Sequence, residues 1–347
     1  ANRNAGKGHP TSLKIAEKEG IAMKLAIFGS GKIVQEFLAI TKDLPEIQLK
    51  AIMGTKRSQE KTEKIQAEYK IEASYTDIDE CLKSDAFDTV YVAVPNHLHY
   101  SFAKKALEAG KHVICEKPFT LKAAELLDLE QLALEKDLVL VEAITNQYLK
   151  NFQGIKEAVK KIGTLKIIEC NYSQYSSRYD AFKEGTILPA FNPKMGGGAL
   201  MDINIYNIHL VVGLLGKPER IQYYANIERG IDTSGMLLLD YGNVKVVCIG
   251  AKDSEATIRS TIQGTEGSVI VNGPTNTLDS YSTQPLAGDI ETFDHKDHPH
   301  RMFDEFKLFN QVIEDKDMTF VKNQLDHSKI VMEIVETAIK DAGIVLG

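Results

Sequence analysis

Between Lys24 and Ala143 the chain alternates short apolar runs with amphipathic ones, and this alternation constrains its fold more than any other feature. The apolar runs are Leu25–Phe28, Gln48–Met53, Ile71–Ala73, Thr89–Val94, His112–Cys115 and Val139–Ala143. Between them lie segments of helical period: Val34–Ile40, Gln59–Tyr69, a turn over Ile78–Lys83, Ser101–Ala109 and Leu121–Lys136. Strands that are apolar throughout and separated by helices predict a mostly parallel, doubly wound sheet with both faces covered. In such a sheet, ligands bind in the crevice beyond the carboxyl ends of the strands.

Three features fall at those strand ends. Gly29-Ser30-Gly31-Lys32-Ile33-Val34 follows the first strand and opens a helix. Two glycines in that position suit a tight turn and close backbone approach to a pyrophosphate, which the helix N-terminus attracts. Val34 replaces the third glycine of the usual fingerprint, and a Gly-rich turn of any α/β protein is the plain alternative. The second strand ends in Gly54-Thr55-Lys56-Arg57-Ser58. An NAD site would place a carboxylate there for the ribose 2′-hydroxyl; Thr55, Lys56 and Arg57 offer a hydroxyl and two cations, the chemistry of a 2′-phosphate. The expected cofactor is NADP in preference to NAD, with a solvated loop as the alternative. The strand ending at Val94 runs into Pro95-Asn96-His97-Leu98-His99, which puts Asn96 and His99 near the nicotinamide end.

The run Gly110-Lys111-His112-Val113-Ile114-Cys115-Glu116-Lys117-Pro118 places a cation just beyond a buried strand. An isolated Lys-Pro is usually a surface turn. Here the nucleotide motif upstream and a glycine-led helix downstream converge on Lys117, so it reads as functional. That helix follows Gly196-Gly197-Gly198. If it is regular from Ala199, then Asp202, Tyr206 and His209 form one polar stripe on an otherwise apolar surface. A buried carboxylate must be paired. Asp202 and Tyr206 either bond each other to fix packing or face a substrate beside Lys117, and the second reading is preferred. His209 reads as a hydrogen-bonded core histidine.

After Ala143 the pattern changes to a helix over Phe152–Lys161 and a long strand over Leu165–Tyr175. A loop, Ser176–Met195, carries Arg178, which reads first as an exposed loop arginine and second as a candidate for binding a polar substrate. Strands follow over Arg220–Asn226, Ser234–Tyr241, Val244–Ala251, Glu255–Gly264 and Gly267–Asn272, with a Gly242-Asn243 hairpin signal. This is an antiparallel, open sheet. Met236–Leu239 is apolar at every position, which suggests that both its faces are covered, one by another subunit. Gly273–Glu291 reads as a polar, mobile loop, and Met302–Ile313 and Leu325–Ala342 as closing helices. His295, His298 and His300 lack a zinc-site spacing, so no metal is expected.

The chain thus divides into residues 1–22, an N-terminal extension added upstream or carried over from expression; 23–143, a dinucleotide-binding unit; and 144–347, a substrate-binding and oligomerisation unit. With 41 Lys and Arg against 48 Asp and Glu, the net charge of -7 argues against a nucleic-acid surface. No apolar run approaches the ~20 residues of a membrane span, and no secretory h-region is present. Four widely spaced cysteines suggest reduced, buried thiols and a cytoplasmic protein.

Taken together, Gly-x-Gly, Pro95-Asn96-x-x-His99, Gly110-Lys111-His112-Val113, Glu116-Lys117-Pro118 and Gly196-Gly197-Gly198-Ala199-Leu200-x-Asp202 resemble the glucose–fructose oxidoreductase/inositol dehydrogenase family. The resemblance runs from about Met23 to the C-terminus. It implies a nucleotide-binding domain joined to a domain with a large open sheet, commonly a dimer or tetramer interface. It implies cofactor contacts from Gly29, Ser30, Gly31, Lys32, Ile33, Pro95, Asn96, His99, Glu116 and Lys117. Tyr206 stands where the family usually has histidine, as in the branch with glucose–fructose oxidoreductase and dihydrodiol dehydrogenases, where the tyrosine is the acid/base. Asn204 departs from the glycine often found two residues before it. The implied activity is hydride transfer between a nicotinamide and a carbinol or carbonyl carbon of a sugar, polyol or related hydroxy compound, with catalysis by Lys117, Asp202 and Tyr206. Lys117 would favour tyrosinate and stabilise an alkoxide. A dinucleotide- or sugar-sensing regulator without turnover is the alternative. An enzyme cycling a tightly held cofactor is a third.

Overall fold

The computed structural model describes residues 23–347; the expectation for residues 1–22 lies outside them. The first half runs β1 (Met23–Phe28), α1 (Lys32–Ile40), β2 (Ile47–Met53), α2 (Gln59–Tyr69), β3 (Ala73–Tyr75) and α3 (Ile78–Leu82). It continues with β4 (Thr89–Val92), α4 (His99–Glu108), β5 (His112–Glu116), α5 (Ala123–Glu135) and β6 (Leu140–Ala143). The six strands are all parallel in the order β3-β2-β1-β4-β5-β6. The chain reverses its winding between β1 and β4, and this is where the crevice opens. β1, β4, β5 and β6 are buried almost throughout, as a sheet covered on both faces requires.

The second half begins with α6 (Lys150–Val159), β7 (Leu165–Ser173), α7 (Ser177–Lys183) and α8 (Ile205–Leu215). Strands β8 (Arg220–Glu228), β9 (Ile231–Asp240), β10 (Lys245–Ala251), β11 (Arg259–Gly264), β12 (Gly267–Asn272), β13 (Ser280–Pro285) and β14 (Glu291–Phe293) follow. Helices α9 (Met302–Asp315) and α10 (Met318–Asp341) close the chain. The eight strands form one sheet, β14-β13-β12-β11-β7-β10-β9-β8, antiparallel except where β7 pairs with β10. The fold is therefore the α/β class expected, a doubly wound parallel sheet followed by a large, mostly antiparallel one.

Helix α9 returns to the first sheet. Phe306 packs on Phe37 of α1 with ring centroids 4.3 Å apart, and both meet Tyr91 of β4. This aromatic cluster brings the start of α9, and with it Arg301, to the mouth of the crevice.

Three expectations need correction. The Ser176–Met195 loop contains α7, capped by Ser176. The Gly273–Glu291 segment is not a mobile loop: Ser280–Pro285 pairs with β12, and its alternating small polar residues hide the strand from an apolar pattern. Pro193–Leu215 does have the length and apolar character of a membrane span, but its helical part is core, lying between the second sheet and α10. Leu237 and Leu239 of β9 are buried, whereas Met236 and Leu238 are exposed on the outer face of this chain. All four cysteines are free and buried.

Candidate active site

The turn after β1 is shaped by backbone contact. Gly29 has φ +119°, and a Cβ there would lie 2.1 Å from the Ala93 carbonyl oxygen, so only glycine lets β1 and β4 separate at this point. Gly31 caps α1 in extended geometry without a side-chain hydrogen bond. The first-turn N–H groups of α1 therefore have no side-chain cap, and they open on a groove of about 720 Å³ lined by Gly29, Ser30, Gly31, Thr55, Lys56, Lys61 and Pro95, among others. Glycine backbone, an uncapped helix N-terminus and two lysines fit an elongated molecule carrying phosphates. Thr55 and Ser58 bond each other reciprocally and shape the loop after β2. Arg57 is exposed and does not line the groove. Lys61 does; its signal, one turn into α2 from the cationic loop, was present in the sequence and passed over.

A second hollow, about 430 Å³, continues from the groove past Ile33, Ala93 and Val94. Lys32, Asn96, His99, Glu116, Lys117, Arg178, Asp202 and Tyr206 all line it, together with Glu36, Tyr172 and Arg301. The structure thus brings the Glu-Lys-Pro turn and the glycine-led helix together as expected. Lys117 Nζ donates to the Asp202 carbonyl at 2.6 Å, lies 3.7 Å from Asp202 Oδ1 and sits 4.9 Å from the Tyr206 ring centroid. Leu200–Asn204 is a π-helical turn rather than the start of a regular α-helix. Asn204, in place of glycine, is fully buried and donates to the Cys248 carbonyl at 3.0 Å. Its side chain fills the space over Gly250, where any Cβ would lie 2.6 Å from that of Asn204.

Asp202 has a partner that the sequence did not reveal. Lys252, at the end of β10, is buried and bonds Asp202 Oδ2 at 2.6 Å. Burial would raise the Asp202 carboxyl, but Lys252 and then Lys117 outweigh it and hold the group down to about 2. Asp202 is therefore an acceptor at any working pH. Burial lowers Lys252 in turn. Nothing local in Gly250-Ala251-Lys252 marks this lysine; only the sheet register carries it to the helix.

Tyr206 is 6% exposed, and burial pushes its phenol well above the ordinary value. The leading cation that opposes this is Arg301. Lys117 lies over the face of the ring, where it meets the π-system. Arg301 bonds Glu36 at 2.8 Å and stays protonated despite its burial, because the carboxyl groups of Glu36 and Glu116 lie beside it. Tyr206 is thus a neutral phenol at rest.

The remaining expected residues brace the walls. His99 is buried with Nδ1 2.6 Å from the Pro118 carbonyl and Nε2 2.9 Å from that of Val94. Asn96 donates to the Gly196 carbonyl at 2.9 Å, joining the turn after β4 to the glycine run before the helix. Glu116 accepts from the Tyr91 hydroxyl at 2.5 Å, and burial raises its pKa. His209 belongs to the core, bonded to His327 at 2.9 Å. Among the described residues no group of acidic, histidine or cysteine side chains is arranged to hold a metal.

A chain built this way can lay a dinucleotide along the first sheet and present its reacting end to side chains from the second half, which is the arrangement of a nicotinamide-dependent oxidoreductase. Comparison with known proteins agrees. Residues 23–143 match the model described as "Oxidoreductase family, NAD-binding Rossmann fold", and 152–270 match the GFO/IDH/MocA C-terminal domain. The chain belongs to the GFO/IDH/MocA oxidoreductase family. It is 34% identical to scyllo-inositol 2-dehydrogenase (NADP(+)) IolU of Bacillus subtilis over 93% of this chain and 98% of that one. It is 26% identical to trans-1,2-dihydrobenzene-1,2-diol dehydrogenase of Xenopus tropicalis over 77% and 84% respectively. In fold it superimposes on the 3-ketoreductase KijD10 of Actinomadura kijaniata, solved with NADP and TDP-benzene, with a TM-score of 0.81 and 20% identity, over 94% of this chain and 99% of that one.

Proposed function

We propose that this protein is an NADP-preferring oxidoreductase that interconverts a hydroxyl and a carbonyl on a sugar, polyol or related hydroxy compound. The observation that carries this reading is the placing of Lys117, Asp202 and a buried, neutral Tyr206 in one cleft, at the end of a groove shaped for a dinucleotide. The names of the relatives, inositol and dihydrodiol dehydrogenases, support the substrate class. Residues 23–143 carry the cofactor. Residues 144–347 carry the substrate and form a homodimer or homotetramer through the second sheet. The buried, reduced thiols suit the cytoplasm.

Bound nicotinamide supplies or accepts the hydride. The chain handles the proton and the geometry. In reduction Tyr206 gives its phenolic proton to the substrate oxygen as negative charge develops there. A high resting pKa keeps that proton in place until it is needed. Lys117 turns from the Asp202 carbonyl to donate to the same oxygen, and Arg301 stabilises the phenolate left behind. Asp202, clamped by Lys252, accepts from a neighbouring substrate hydroxyl and fixes which carbon faces the cofactor. In oxidation the same steps run backwards. Tyr206, where the family usually has histidine, supports assignment to the branch with a tyrosine acid/base. The alternative, a sensor without turnover, has no use for a buried phenol set against a lysine and an arginine.

Screening sugars and polyols with NADP⁺ while following nicotinamide absorbance tests the reading. At least one compound should turn over, and Tyr206→Phe should reduce kcat by about 10²- to 10⁴-fold without losing cofactor binding. Near-normal turnover by the folded Phe variant would remove tyrosine from the chemistry.

A further inference from the structure

The hollow beside Asp202 that shares no lining residue with the dinucleotide groove is rich in cations. The protein as a whole is acidic, with a net charge of -7. This hollow, about 330 Å³, is lined by Lys32, Arg178 and Lys252 against one carboxylate, Asp202, with Ser176 and Ser177 on its rim. Lys252 and Asp202 neutralise each other at 2.6 Å. Lys32 and Arg178 have no ion-pair partner within 4 Å among the described residues, and both line this one hollow. Two uncompensated cations therefore face a cavity that shares Asp202 with the catalytic cleft.

The dinucleotide groove has its own lysines, Lys56 and Lys61, and neither Lys32 nor Arg178 lines it. Arg178 does line the catalytic cleft and a further hollow of about 380 Å³ on its other side, so its guanidinium stands where all three spaces meet. A neutral sugar needs paired donors and acceptors. Here donors with full positive charge predominate, and the one carboxylate lining the hollow already forms an ion pair with Lys252 through Oδ2.

We propose that the substrate is a polyhydroxylated anion, a carboxylate or a phosphate monoester, whose charged group is held by Arg178 and Lys32 while a carbinol carbon lies between Tyr206 and the nicotinamide. This rests on the oxidoreductase reading above and names the substrate class of the same site. Arg178 comes from the second half of the chain and Lys32 from α1, so the anion also draws the two walls of the cleft together. The planar guanidinium suits bidentate contact with either group, and Lys32 adds a point charge.

The test is binding to the NADPH-loaded protein, read by NADPH fluorescence, with gluconate, glucuronate and glucose 6-phosphate set against glucose and myo-inositol. At least one anion should bind about tenfold or more tightly than its neutral counterpart, as hydrogen bonds to a charged group imply. That advantage should shrink as salt is raised. The carboxylate and phosphate arms tell the two sources apart. Arg178→Ala should bring the anion-to-neutral affinity ratio close to one, and Arg178→Lys should keep part of it; Arg178 is exposed, so these variants fold. Equal affinity for anions and neutral compounds at low salt, or equal loss of both in Arg178→Ala, would overturn the inference and leave the oxidoreductase reading standing. Failure to bind NADPH at all would instead overturn that reading, and this one with it.

Discussion

The chemistry at Asp202 depends on one side chain that is remote in sequence. Lys252 lies 50 positions away and supplies the charge that keeps this carboxylate ionised in a confined site. Removing a buried partner leaves the other charge uncompensated, which costs more than the pair contributes. Asp202 is 33% exposed to the cleft, so solvent and Lys117 absorb part of that penalty. Lys252→Met should therefore lose about 2 kcal/mol in a urea titration, and Asp202→Asn added to it should restore most of the loss. A Lys252→Met protein as stable as the parent would show that the pair is not structurally required. Lys117, Asp202 and Tyr206 were legible because each lies in a local motif with a chemical reason. Lys252 and Arg301 were not, because the sheet register delivers one and the Phe37–Phe306 packing delivers the other.

At the scale of elements, helix α10 carries an acid-sensitive contact. His327 faces His209 of α8, whose Nε2 is 3.5 Å from the buried Glu142 of β6. Burial, with His209 and Lys156 adding to it, lowers His327 to about 3. The sign follows from linkage. The unfolded chain binds this proton near pH ~6.5 and the folded chain only near 3, so stability falls as pH drops through that window and is level above it. His327→Asn should remove one proton's slope, about 1.4 kcal/mol per pH unit, from denaturation curves taken between those limits. An unchanged slope would mean that another group sets the acid limit. The helices of the first half were legible from their period because each covers a sheet with one apolar face. The π-turn at Leu200–Asn204 was not, because nothing local in those residues marks it; in the fold Asn204 bonds the Cys248 carbonyl of β10. Strand β13 was missed for the opposite reason: Ser280–Pro285 is polar, yet its backbone is claimed by β12 and β14.

For the whole molecule, the second sheet carries the prediction about assembly. Ile167, Tyr224, Met236 and Leu238 leave apolar area on its outer face, with Tyr224 63% exposed. A patch of this kind fits burial against a second copy. Light scattering should give the mass of a dimer or tetramer, and Tyr224→Lys with Met236→Lys should shift it toward the monomer. A monomeric parent protein would refute the interface. The α/β class and the division of labour between the halves were readable from the change of pattern after Ala143. How α9 returns to close the crevice over β1 and β4 was not, because long-range packing leaves no periodicity. The central claim is that the first half holds NADP and aims it at Tyr206. Calorimetric titration with NADPH and NADH, after a check for nucleotide already bound, tests it most directly. Tight NADPH and weak NADH are predicted, with Lys56→Ala narrowing the difference. Binding of neither by a protein free of nucleotide would contradict the account at its base.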